Sequence, residues 1–114
     1  MRKKIIQLCV LSLLTLFLSI SLSFAEEVDK YQDSRNLYMT KFCITCHGQQ
    51  GIAVAPNYPN LAKQNKLYLI NQVNDIIKKK RTTKLTVLMT EHPVINSIHD
   101  KEIVDIADYM TNIR

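Results

Sequence analysis

An all-α fold is predicted for this chain on three observations. After the first 25 residues, no stretch alternates apolar and polar side chains convincingly as a half-buried strand does. Three segments instead carry apolar residues three and four positions apart, the period of a helix face. Both glycines, Gly48 and Gly51, gather with Pro56 and Pro59 in one stretch, 48–63, which reads as a loop.

The first element is a targeting segment. Arg2, Lys3 and Lys4 precede an uncharged run from Ile5 to Phe24, and Ser23-Phe24-Ala25 puts small residues at the two positions a signal peptidase reads. A basic start, an apolar middle and a small-residue site describe a secretory signal peptide, residues 1–25. A run of this length is also just long enough to span a bilayer, so a retained anchor is the competing reading. The Ser and Thr content and the Ser-x-Ala site favour cleavage after Ala25. Cys9 lies inside the apolar run, far from that point, and is not read as a lipidation site. Cleavage takes 25 of the 114 residues and leaves 89, one small domain over 26–114. Such a chain buries little surface of its own, and a covalent cofactor would supply the missing core.

The elements of that domain follow in order. Leu37, Tyr38 and Phe42 mark a helix over about 32–42 that leads into Cys43. After the loop, Leu67, Ile70, Val73 (or Asn74) and Ile77 mark a second helix over about 66–80. Residues 81–97 are less regular, with Pro93 breaking any long helix. A last helix over about 99–113 puts Ile103, Ile106, Ala107 and Met110 on one face, with Asp100 and Glu102 in the first turn, where the helix dipole favours them.

The chemistry is concentrated in Cys43-Ile44-Thr45-Cys46-His47. C-x-x-C-H is the attachment signature of a c-type haem. Each thiol can add to one vinyl group of the porphyrin, and the adjacent imidazole can reach the iron as proximal ligand. Loss of Cys9 with the signal peptide leaves these two thiols as the only ones. A disulfide is their other possible fate in an exported protein. An iron that only transfers electrons needs a sixth ligand, and a soft methionine thioether suits it. Met39 is on the helix that delivers the haem, and Met110 falls on the apolar stripe of the last helix. Met89, in irregular chain able to fold over the far side, is therefore the favoured ligand. His92, three residues on, is the competitor that would make the iron bis-histidine. His99 stands at a helix start, where a capping or surface role fits better.

Charge restricts the partners. The chain carries a formal net charge of +5, but removing Arg2, Lys3 and Lys4 from 15 basic residues leaves 12 against 10 acidic ones. Two haem propionates would bring the loaded protein close to neutral, so global charge argues for neither nucleic acid nor a membrane surface. The run Lys78-Lys79-Lys80-Arg81 with Lys84 is locally basic: a solvated helix end, or a docking patch for an acidic redox partner.

These residues resemble the class I c-type cytochromes, most closely one haem domain of cytochrome c4 and the bacterial c553 group. The resemblance runs from Leu37-Tyr38 through the CxxCH to Pro56, Pro59, Leu61-Ala62 and Gln64, on to Tyr68-Leu69 and Gln72. It ends in Ile98-His99-Asp100-Lys101-Glu102-Ile103 with Ala107-Asp108-Tyr109. It implies a cytochrome c fold of three main helices plus short helical turns around one covalently bound haem c. The first and last helices would cross beside the haem through Ser34, Tyr38, Ile106 and Tyr109. Pro59 would accept from His47 Nδ1, Leu61 would pack on the porphyrin, and Arg81 would approach a propionate or lie on the surface. Ser34 stands where the family usually has glycine, which would widen the crossing. Met89 follows Arg81 at a longer interval than in many relatives. Cytochrome c4 has two haems, whereas this chain has one CxxCH.

The function this implies is a periplasmic electron carrier, not an enzyme, with His47 and Met89 as axial ligands. Its partners would be redox proteins such as respiratory-chain donors or terminal oxidases and reductases, with a membrane involved only if residues 5–24 are retained. The competing class is a haem enzyme or gas sensor with an open sixth position. A dithiol oxidoreductase is disfavoured, because its CxxC belongs near a βαβ pattern.

Overall fold

The structure, a computed structural model, describes the backbone of residues 1–113 and the side chains of 1–14 and 31–113. It divides into two compact units, Met1–Gln32 and Asp33–Arg114. A helix, α1, runs Arg2–Thr40. In the first unit the apolar side chains of 5–14, among them Ile5, Leu8 and Leu14, stand exposed along it. The cleavage point expected at Ala25 falls where side chains lie outside the described residues. Among the described residues, no helix is long and apolar enough to cross a membrane.

The second unit begins with the last turns of α1. Phe42 then takes a left-handed φ of 61°, uncommon for a bulky residue, and turns the chain into the short helix α2, Ile44–His47. Gly48, at φ 75°, ends α2. A Cβ there would sit 1.8 Å from the Ile52 carbonyl oxygen, so only glycine fits this turn. The loop to Gln64 closes on itself, with Leu61 N–H donating to the Gly51 carbonyl at 2.7 Å. It is pinned to the last helix by Lys63 N–H on the Met110 carbonyl at 2.7 Å.

Helix α3, Lys66–Ile77, is capped by Asn65, whose Oδ1 accepts from Tyr68 N–H at 3.0 Å. It ends three residues earlier than expected, at a left-handed Lys79 (φ 54°), where Lys80 N–H bonds back to the Asp75 carbonyl at 2.8 Å. Its buried side chains are Leu69 and Ile76, whereas Leu67, placed on the inner stripe by sequence, is 65 % exposed. The helix is apolar on more than one face, so periodicity alone could not choose the inner one.

The stretch expected to be irregular contains two helices, α4 (Lys84–Glu91) and α5 (Pro93–Asn96). Thr83 and Thr86 form a reciprocal cap at the start of α4: Thr83 N–H donates to Thr86 Oγ1 at 2.7 Å, and Thr86 N–H to Thr83 Oγ1 at 3.3 Å. Pro93 does not merely break helix; it occupies the first turn of α5, where its missing N–H costs nothing. Helix α6, Asp100–Asn112, buries Ile103, Ile106, Ala107, Tyr109 and Met110, the predicted stripe together with Tyr109.

Helices α3 and α6 form the main packed pair. Lys66 Nζ reaches Asp108 Oδ1 at 2.7 Å between them. The end of α1 meets α6 through the Tyr38 and Tyr109 rings, edge to face at 6.2 Å, and through Lys41 Nζ on Glu102 Oε2 at 2.7 Å. Tyr38 and Met110 are completely buried. Every described element is helical, as the cytochrome c fold requires.

Candidate functional site

A partly open cavity of about 660 Å³ lies among these helices. Cys43, Cys46 and His47 line it from α2 and its approach. Pro59 and Leu61 line it from the loop, Leu69 and Val73 from α3, Leu88 and Met89 from α4, and Ile103, Ile106 and Met110 from α6. All six residues singled out by sequence (Cys43, Cys46, His47, Pro59, Leu61 and Met89) therefore face one space. Met89 stands there on the last turn of a helix, not in irregular chain.

His47 is oriented by a single bond. Its Nδ1 lies 2.9 Å from the Pro59 carbonyl oxygen, which can only accept, so Nδ1 carries the proton and Nε2 is left as a lone-pair donor. Burial holds the imidazole pKa below its usual value, with the Pro59 carbonyl opposing the shift. The neutral ring is the form that ligates a metal.

Neither cysteine is in a disulfide. Burial pushes the Cys43 thiol up to about 11, opposed first by a hydrogen bond from its own backbone and then by Lys41. A dithiol oxidoreductase needs the opposite, a thiol lowered toward neutral pH.

The attachment segment is braced from behind. Tyr38 Oη donates to the Gly48 carbonyl at 2.8 Å, tying the end of α2 to α1. Burial first, then Cys43, Tyr109 and Cys46, raise the Tyr38 phenol above its ordinary range, which keeps it a neutral donor. Gly51, at φ 71°, lets the loop lie against α6; a Cβ there would stand 2.7 Å from Met110 Sδ and 2.8 Å from the Ala62 nitrogen. Arg81 lines the cavity with its guanidinium on Gln72 Oε1 at 2.6 Å. His99 starts α6, its N–H donating to Glu102 Oε2 at 2.9 Å.

Phe42 and His92 were not paired by sequence reasoning. Their rings lie 5.0 Å apart at 39°, and both line the cavity, so the segment before Cys43 touches the end of α4. Phe42 makes this contact from a left-handed backbone, and no sequence signal announces a left-handed phenylalanine.

A haem fits these residues. The cleft is partly open, and its walls are chiefly apolar, which suits an apolar occupant. Among the described residues no three His, Cys, Asp or Glu side chains converge as a metal site. His47 and Met89 can thus hold an iron only if another group supplies its remaining ligands, as a porphyrin does.

A family model described as Cytochrome c matches residues 31–114. Cytochrome c4 of Pseudomonas aeruginosa is 39 % identical over 71 residues, covering 61 % of this chain and 32 % of the relative. Cytochrome c-554(548) of Halomonas halodenitrificans is 36 % identical over 70 residues, 61 % of this chain and 82 % of the relative. A Stutzerimonas stutzeri protein named thiosulfate dehydrogenase electron acceptor is 31 % identical over 71 residues, 62 % of this chain and 32 % of the relative. The chain spans about a third of the length of the first and third of these. With the CxxCH, the braced imidazole and the helical frame in place, the family match is decisive: this chain belongs to the cytochrome c family, whose members bind haem c covalently.

Proposed function

We propose that this chain is a periplasmic electron carrier holding one haem c through Cys43 and Cys46, with His47 and Met89 as axial ligands. The observation that carries this reading is the convergence on one cavity of two thiols, an imidazole with only Nε2 free, and a thioether on α4. The bound haem would supply a one-electron ferrous–ferric couple. Cys43 and Cys46 tether the group, and the Pro59 carbonyl keeps His47 in the right tautomer and raises its basicity. As a ligand, the soft Met89 sulfur would favour the ferrous state and give a higher potential than a second imidazole would. Leu61, Leu69 and Ile103 would exclude water from the haem, and Arg81, which also lines the cavity, would approach a propionate.

In this reading the chain has no substrate of its own, and its partners are redox proteins such as respiratory-chain donors or terminal oxidases and reductases. The name of the Stutzerimonas relative supports a dehydrogenase as one class of donor. Arg2–Lys4, the uncharged run and Ala25 support export as a signal peptide rather than retention as an anchor.

The test is expression with a c-type maturation system. We expect a band that stains for haem after denaturing electrophoresis, a mass of one haem per chain, and a reversible one-electron titration. The periplasmic protein should begin at Glu26. Cys43→Ser with Cys46→Ser should abolish the stain. Rapid, complete carbon monoxide binding by the reduced wild type would instead favour a haem enzyme or gas sensor.

A further inference from the structure

Met89 is not the only donor on its wall of the cavity. Of the residues that line it from α4 and its end, Leu85 and Leu88 have no donor atom. Thr86 Oγ1 is already engaged by Thr83 N–H and by the carbonyls of Arg81 and Thr83. His92 remains. It follows Met89 by three residues, the spacing that puts two side chains on one helix face, and its φ of −76° keeps Cβ in the helical direction although ψ has turned to 119°. Its ring is exposed to solvent, touches Phe42 and makes no hydrogen bond to any described residue. No described group therefore holds either ring nitrogen in place, whereas His47 Nδ1 is fixed by the Pro59 carbonyl.

We infer that His92 is a reserve axial ligand, parked against Phe42 at the cavity's edge, that takes the sixth position whenever the Met89 sulfur leaves it. This rests on the haem-carrier reading above. The exchange replaces one neutral donor by another, so nothing is oxidised or reduced in it. Ferric iron is the harder state and has the weaker preference for a thioether, so His92 competes best there. The consequence is protective: loss of the Met89 bond gives a closed bis-histidine site in place of an open one that would admit small exogenous ligands.

The test compares four loaded proteins at neutral pH by optical and electron paramagnetic resonance spectroscopy and by carbon monoxide binding. They are wild type, Met89→Leu, His92→Ala and the double variant Met89→Leu/His92→Ala. Met89→Leu keeps the packing volume. Wild type and His92→Ala should both show the far-red charge-transfer band of a Met-ligated ferric haem. Met89→Leu should lose that band yet stay low-spin and bind carbon monoxide slowly. The double variant should turn high-spin in the ferric state and bind carbon monoxide fast and completely. If Met89→Leu alone is already high-spin with fast carbon monoxide binding, His92 is no reserve ligand. If wild type lacks the band and His92→Ala turns high-spin, His92 is the resident ligand, which overturns both this inference and the Met89 assignment. Absence of any haem stain refutes the carrier reading itself.

Discussion

Removing one oxygen tests how the attachment segment is held. Tyr38 is fully buried, its ring packs against Tyr109, and its hydroxyl donates to the Gly48 carbonyl at 2.8 Å. Tyr38→Phe keeps the ring and deletes only that bond. The Gly48 carbonyl would not be orphaned, because Gly51 N–H still donates to it at 3.2 Å. The cost is therefore that of an ordinary hydrogen bond, about 1 kcal/mol, not the 3 kcal/mol of an abandoned buried group. For a domain of this size that corresponds to a fall of roughly 4–8 °C in Tm. Guanidinium titration of the holoprotein followed by far-UV circular dichroism should show a lower midpoint at unchanged slope. The same bond has an alkaline signature. The folded phenol pKa is raised above the unfolded value of about 10, so its contribution is complete below that pH and is lost as pH rises toward the folded pKa. The gap between wild type and Tyr38→Phe should therefore close in alkali. An unchanged midpoint at neutral pH would refute the bond as a brace. A loss well above 3 kcal/mol or a changed slope would show that the substitution disturbs more than this bond.

Other parts of the frame answer to equally local changes. Gly51→Ala would force a left-handed alanine against the Ala62 nitrogen at 2.8 Å, and should cost about 2–3 kcal/mol by thermal unfolding. Asn65→Ala removes the α3 cap on Tyr68 N–H and should cost about 1 kcal/mol, whereas Asn65→Asp should restore it. The bond to Lys41, and then that to His99 N–H, lowers the Glu102 pKa, so its contribution is present above the unfolded value near 4.3 and is lost as pH falls through the lower folded one. Glu102→Gln should accordingly cost about 0.5 kcal/mol at neutral pH and low salt, with the difference from wild type vanishing in acid and shrinking in high salt.

What could be read from sequence was whatever a single local rule controls. The α6 stripe of Ile103, Ile106, Ala107 and Met110 is buried as its period requires. Pro59 does sit with its carbonyl on His47 Nδ1, and the motif resemblance was the only signal for it. The α4 helix escaped because its start depends on a Thr83–Thr86 pair without the Glu or Gln of the familiar capping box, and its apolar residues follow no clean stripe. Which face of α3 is inward also escaped, since Leu69 and Ile76 are chosen by the tertiary neighbours. The Phe42–His92 contact was beyond any such rule: it joins a left-handed Phe42 to the end of α4, two features that no local pattern announces.

The ligand pair is tested most directly by the far-red spectrum of the ferric holoprotein. With His47 and Met89 on the iron, wild type shows the weak charge-transfer band and Met89→Ala does not. A wild type without the band, or a Met89→Ala protein that keeps it, contradicts the assignment of Met89.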